Sequence, residues 1–95
     1  MVVRMTMTGS WIEIDGEHLV QALQEAGEKV ASGDGDVVLD FTAVHRIDPA
    51  ALRAMEKLAG LADDKAIKVA LRGVHVDIYK VLKLVRLTPR FSFLN

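Results

Sequence analysis

Hydrophobic and polar positions alternate twice near the start of the chain. Val3, Met5 and Met7 fall on one side of residues 2–7, with Arg4 and Thr6 on the other, the two-residue period of a half-buried strand. Gly9-Ser10 follows, a pair suited to a tight hairpin turn. Trp11-Ile12-Glu13-Ile14 then alternates again as the expected returning strand. Beyond it the period changes to that of a helix. Leu19, Ala22, Leu23, Ala26 and Val30 form one apolar stripe, as an amphipathic helix requires. Asp15 is the expected cap, with Glu17 in the first turn, and Ser32 to Asp36 reads as the closing loop.

Val37 to Phe41 is nearly continuous in apolar residues, which predicts a central strand covered on both faces and paired in parallel. Asp48-Pro49 is a strong helix start: aspartate caps, and proline takes the first helical position, where its missing N–H costs nothing. Leu52, Met55, Leu58, Ala59 and Ala62 give the buried stripe, ending near Asp63-Asp64. Ile67 to Leu71 reads as a further strand closed by Arg72-Gly73. Ile78, Val81, Leu82 and Val85 form a third helical stripe. Thr88-Pro89 breaks it, and Phe91 to Leu94 closes the chain as a short strand. The order β-β-α-β-α-β-α-β predicts an α/β fold around a mostly parallel, mixed sheet, with the first hairpin as an antiparallel edge.

Composition narrows the function classes. Ninety-five residues suit one domain, residues 1–95. Zero cysteines exclude disulfides, thiolate metal sites and cysteine nucleophiles. A net charge of −1 gives no broad pull toward nucleic acid or anionic lipid. No apolar run reaches the roughly 20 residues of a membrane span, and the start lacks a secretory pattern. A cytoplasmic chain that does not span a membrane is expected. Lys80, Lys83, Arg86 and Arg90 make the last helix and its exit basic, either a solvated face or a patch for phosphate or an acidic partner.

Candidate catalytic chemistry is sparse. His18, His45 and His75 have no metal-ligand spacing. The glycines build no phosphate loop, and no Gly-x-Ser-x-Gly elbow occurs. Asp40 invites comparison with a phospho-accepting aspartate at a strand end, but the first strand supplies no carboxylates to hold magnesium beside it. No metal, cofactor or catalytic residue is expected, and the chain reads as a non-enzyme.

The segment Leu39-Asp40-Phe41-Thr42, then Val44-His45-Arg46-Ile47, then Asp48-Pro49-Ala50-Ala51-Leu52 resembles the signature of the STAS family, the anti-sigma factor antagonist domains. There a strand runs through a short loop into Asp-Ser-Ser-Gly-Leu at a helix start. Val69-Ala70-Leu71-Arg72-Gly73-Val74, with Ile78, Leu82 and Leu87 behind it, resembles the family's last strand and helix. The resemblance implies a STAS-like mixed sheet and a protein partner, an anti-sigma factor with a serine-kinase fold. In that family the second serine is phosphorylated to release the partner. Here Asp48 matches the aspartate, Pro49 the first serine, Ala50 the phospho-acceptor, Ala51 the glycine and Leu52 the leucine. Pro49 and Ala50 have no hydroxyl, so this position cannot carry the switch. The implied partner-binding rim is Thr42, His45, Arg46, Asp48, Pro49, Ala50, Ala51 and Arg53, on a monomer or weak homodimer. The alternative implied by the resemblance is the STAS subunit of a phospholipid-transport ABC complex, bound to its ATPase.

Overall fold

Among the described residues, four strands line up in the order they occur in the chain. The computed structural model describes residues 9–33 and 35–94. Strand β1 (Gly9–Glu13) is followed by helix α1 (Leu19–Ser32), β2 (Asp36–Asp40), α2 (Pro49–Lys65), β3 (Val69–Arg72), α3 (Val76–Leu84), a short 3-10 turn (Thr88–Arg90) and β4 (Ser92–Leu94). Among the described residues the sheet order is β1-β2-β3-β4, and every pairing is parallel. From Trp11 onward this is the element order that the periodicities predict.

Two expectations at the start of the chain need correction or fall elsewhere. Gly9-Ser10 is not a hairpin turn: both residues lie in β1, where Gly9 pairs with Asp36 and Ser10 with Val37. A glycine-serine pair carries no pattern of its own, and the ladder with β2 decides its conformation. The strand expected over residues 2–7, and with it the antiparallel edge, lies outside the described residues.

Consecutive right-handed crossovers that all step the same way across a parallel sheet put every helix on one face. Burial agrees. Ile12, Leu39, Leu71 and Phe93 are aligned across the four strands, and the first three belong to the core with Leu23, Val30, Met55, Leu58, Ile78 and Leu82. On the opposite face Trp11 is 49% exposed. Val38 is buried but lies outside the core cluster. β2 is therefore central, as its apolar run predicts, but among the described residues helices cover it from one side only. On its second face Val38 is the one apolar residue, between Asp36 and Asp40, and it is flanked by Trp11 and Ala70 on the paired strands.

Helix ends show how local chemistry sets the boundaries. Asp15 does not cap α1. Its carboxylate accepts from the Glu17 N–H at 2.9 Å, closing a turn on itself, and also lies 3.3 Å from His18 Nδ1. An aspartate that hydrogen-bonds two residues onward competes with the helix for that N–H, so α1 begins later, with His18 at the N-cap. Its stripe is otherwise as predicted, and Gly33 ends it in the left-handed region at φ 73°, the usual glycine stop. α2 continues one turn past Ala62 to Lys65. Val85 leaves the expected stripe of α3: it is the C-cap and is exposed, while Leu87 takes the buried place beyond the helix. Arg86 between them holds a left-handed φ of 64°, which ends the helical phase and lets Leu87 turn inward.

Candidate functional site

The C-terminal ends of parallel strands, with the loops that leave them, are where α/β sheets gather functional groups. Here Glu13, Asp40, Arg72 and Leu94 are paired across that end of the sheet. Three loops rise from it: β1 to α1, β2 to α2, and β3 to α3.

The β2–α2 loop is built around Asp40. Its carboxylate accepts from the Thr42 N–H at 2.9 Å and faces Arg72 Nη1 at 3.4 Å. A backbone bond from Val44 to Phe41, 2.9 Å, tightens the turn. Hydrogen bonds from the Thr42 hydroxyl and N–H, aided by the Arg72 guanidinium, hold the Asp40 carboxyl below its ordinary 3.8 despite partial desolvation. Arg72 also approaches Thr42 Oγ1 at 3.5 Å and lies 5.8 Å over the Trp11 ring, a cation–π arrangement.

Because the folded carboxyl of Asp40 holds its proton less tightly than the unfolded one, the unfolded chain protonates first in acid. Its contribution is therefore fully present above 3.8 and lost as the pH falls through the lower folded value. We expect acid unfolding followed by circular dichroism to show a shallower stability loss below pH 3.8 for Asp40→Asn than for the native chain. Parallel curves would mean that Asp40 has no role in acid stability.

From the β3–α3 loop, His75 Nε2 bonds the Thr42 carbonyl at 2.8 Å. A carbonyl only accepts, so Nε2 carries the proton. The His75 ring packs on His45, with centroids 4.4 Å apart. Gly73 sits under Thr42 at φ 70°, and a Cβ there would collide with Thr42 Oγ1. Thr42 is thus clamped from the neighbouring loop by Arg72, Gly73 and His75.

At the start of α2, Asp48 accepts from the Ala51 N–H at 2.8 Å and Pro49 occupies the first turn. The cap is worth about 1 kcal/mol. It leaves Pro49 and Ala50 exposed to solvent. Two grooves flank this tip. One, of about 600 Å³, lies between the N-terminus of α1 and the loop, lined by Gly16, His18, Gln21, Arg46, Ile47 and Asp48 among others. The other, of about 620 Å³, runs between α1 and α2 over Val20, Ala54 and Leu61, with Ala50, Arg53 and Lys57 along it.

The predicted rim residues therefore sit around one end of the molecule but form three groups. Thr42 and His45 join the β3–α3 loop, Arg46 and Asp48 edge the first groove, and Ala50 and Arg53 edge the second. Ala51 differs. It is 1% exposed and packs in the core, bordering the first groove only from its floor. Arg72, Gly73 and His75 were missed as members of this end. The available signal was that two predicted strands end in opposite charges, Asp40 and Arg72. Among the described residues no group of three or more His, Cys, Asp or Glu could hold a metal ion.

The sequence profile of the STAS domain matches residues 12–94. This chain belongs to the STAS domain family. The architecture of this STAS domain also recurs in solved structures. A crystal structure of a candidate anti-sigma factor antagonist from Thermotoga maritima superposes with a TM-score of 0.70 at 16% identity, covering 90% of this chain and 73% of that one. An NMR structure of TM1081 gives a TM-score of 0.76 at 14% identity, covering 97% and 78%. At these identities the likeness is one of fold. No curated protein matches the chain in sequence. Among the described residues of this STAS domain, no helix is long and apolar enough to cross a membrane.

Proposed function

We propose that this STAS domain is a non-enzymatic docking module of the anti-sigma factor antagonist type, acting in bacterial cytoplasmic signalling to transcription. It binds a protein partner, an anti-sigma factor of serine-kinase type, at the β2–α2 loop and the start of α2. One observation carries the reading: the Asp48 cap presents Pro49 and Ala50 to solvent between two grooves, without a hydroxyl to take a phosphate. The surface is therefore fixed in the form that a phosphoserine-bearing relative would have before phosphorylation. A phosphoryl group would add roughly −1.5 to −2 charges at such a rim. Here no such charge can be placed at residue 50.

The test is affinity purification from the native cell with the unaltered chain and with Ala50→Glu. We expect the unaltered chain to recover a kinase-fold partner and Ala50→Glu to lose at least tenfold of it, because a fixed anion now occupies the contact. Ala50 is exposed, so thermal unfolding should shift little. Ala50→Ser, incubated with the recovered partner and ATP, should acquire phosphate at residue 50. Equal recovery with Ala50→Glu, or recovery of small-molecule enzymes alone, would refute the docking reading. Recovery of an ABC-type ATPase by the unaltered chain would instead support the transport-subunit alternative.

A further inference from the structure

We propose that the outward face of α3 is a contact surface for anionic lipid headgroups, separate from the α2 tip. The inner side of this helix is fixed in the core by Ile78 and Leu82. On the other side Val76 is 67% exposed and Leu84 82%. Tyr79 and Val85 are exposed as well, so four of the six exposed large hydrophobics among the described residues fall within ten consecutive positions. At about 100° per residue, Lys83, Val76, Lys80 and Leu84 share one arc roughly opposite Ile78.

Charge gives the face its sign. Lys80, Lys83 and Arg86 form no ion pair among the described residues, whereas Arg90 is tied to Asp63 at 2.8 Å. Residues 76–86 hold these three cations against Asp77 alone, a net +2, in a chain whose total is −1. The remainder therefore carries −3. A negatively charged plane attracts this helix and repels the rest of the molecule, which sets an orientation that the overall net charge conceals.

The chemistry favours lipid over a protein. The ridge is convex and made of aliphatic side chains, one tyrosine and long cations. Cations of this length reach headgroup phosphates while their stems lie against apolar chains. It lacks tryptophan, the side chain that most often anchors protein contacts, and contributes no residue to either groove at the α2 tip. Nucleic acid is disfavoured because no base-stacking aromatic platform accompanies the cations.

The experiment is co-sedimentation of the full chain with vesicles of phosphatidylcholine alone, and with vesicles containing phosphatidylglycerol at three parts in ten (about 30%), chosen to give a clearly anionic surface. Binding to the anionic vesicles only, weakening with salt, is expected. Each cation near such a surface contributes roughly a fivefold factor. Lys80→Glu with Lys83→Glu should therefore lower partitioning by about 25-fold or more, and Leu84→Ser should weaken it at unchanged salt dependence. Ala50→Glu should leave vesicle binding intact, which separates this surface from the α2 tip. No binding to anionic vesicles at low salt, or equal binding by the double lysine variant, would overturn the proposal. Retention on immobilised poly-glutamate without vesicle binding would assign the face to an acidic protein instead and also overturn it.

Discussion

Phe41→Ala is expected to lower the unfolding free energy by about 3–5 kcal/mol, the usual cost of emptying a buried aromatic site. Phe41 is completely buried and follows directly on the central strand, so its ring enters the helix-covered core beside the residues that β2 contributes. Its backbone is held on both sides. The N–H donates to the Arg72 carbonyl at 2.7 Å and the carbonyl accepts from Val44, so the main chain has little freedom to collapse into the vacated space. A domain of this size has a total stability of roughly 5–14 kcal/mol. The variant should therefore be marginal at 25 °C. Urea unfolding will show a lower midpoint at an unchanged slope. A loss below about 1 kcal/mol would mean that the core near Phe41 repacks freely.

Gly73→Ala is the second large effect, and its sign depends on position. The residue holds φ at 70°, a region costing a residue with a Cβ about 1–2 kcal/mol. The added methyl would also meet Thr42 Oγ1 head-on, with Thr42 Cβ and Cα at 3.3 and 3.4 Å behind it. Backbone strain and collision together predict a loss of about 2–4 kcal/mol. The collision displaces Thr42, so the amide signals of Thr42 and His75 should shift most in NMR spectra. Gly60→Ala provides the contrast. Gly60 lies inside α2, with nothing within 4 Å of an added Cβ, and the same substitution there should stabilise by about 0.5–1 kcal/mol. If both variants lose stability equally, the argument from left-handed backbone and Thr42 contact fails.

The elements were legible wherever the controlling physics is local. Leu23, Ala26 and Val30 mark α1, and Met55, Leu58 and Ala59 mark α2, because burial follows the helical period. Asp48-Pro49 announces its helix start because cap and proline act within three residues. The end of α1 was legible for the same reason, through Gly33. Its beginning was not, since Asp15 has two local uses for one carboxylate and the sequence does not rank them. Gly9-Ser10 misleads because it fits a turn and a strand about equally, and only the β2 partner chooses.

The candidate site divides in the same manner. Thr42, His45, Arg46, Asp48, Pro49, Ala50 and Arg53 are neighbours in sequence, and proximity along one loop brings them to one end of the molecule. Arg72, Gly73 and His75 lie about thirty residues further on. Nothing local connects them to Thr42. Their meeting requires β2 and β3 to pair in register, with Asp40 beside Arg72, and two loops to leave the sheet at the same end.

By itself the sequence determined the periodicities, the capped start of α2 and the missing hydroxyls at residues 49 and 50, since each is a property of covalent chemistry or of a few adjacent residues. Tertiary structure alone decided that the helices share one face of the sheet, that Ala51 turns inward while Ala50 does not, and that Val85 leaves the α3 stripe to stand exposed while Leu87 takes the buried place. These depend on strand order, crossover hand and helix rotation. All three are settled by packing between segments distant in the chain.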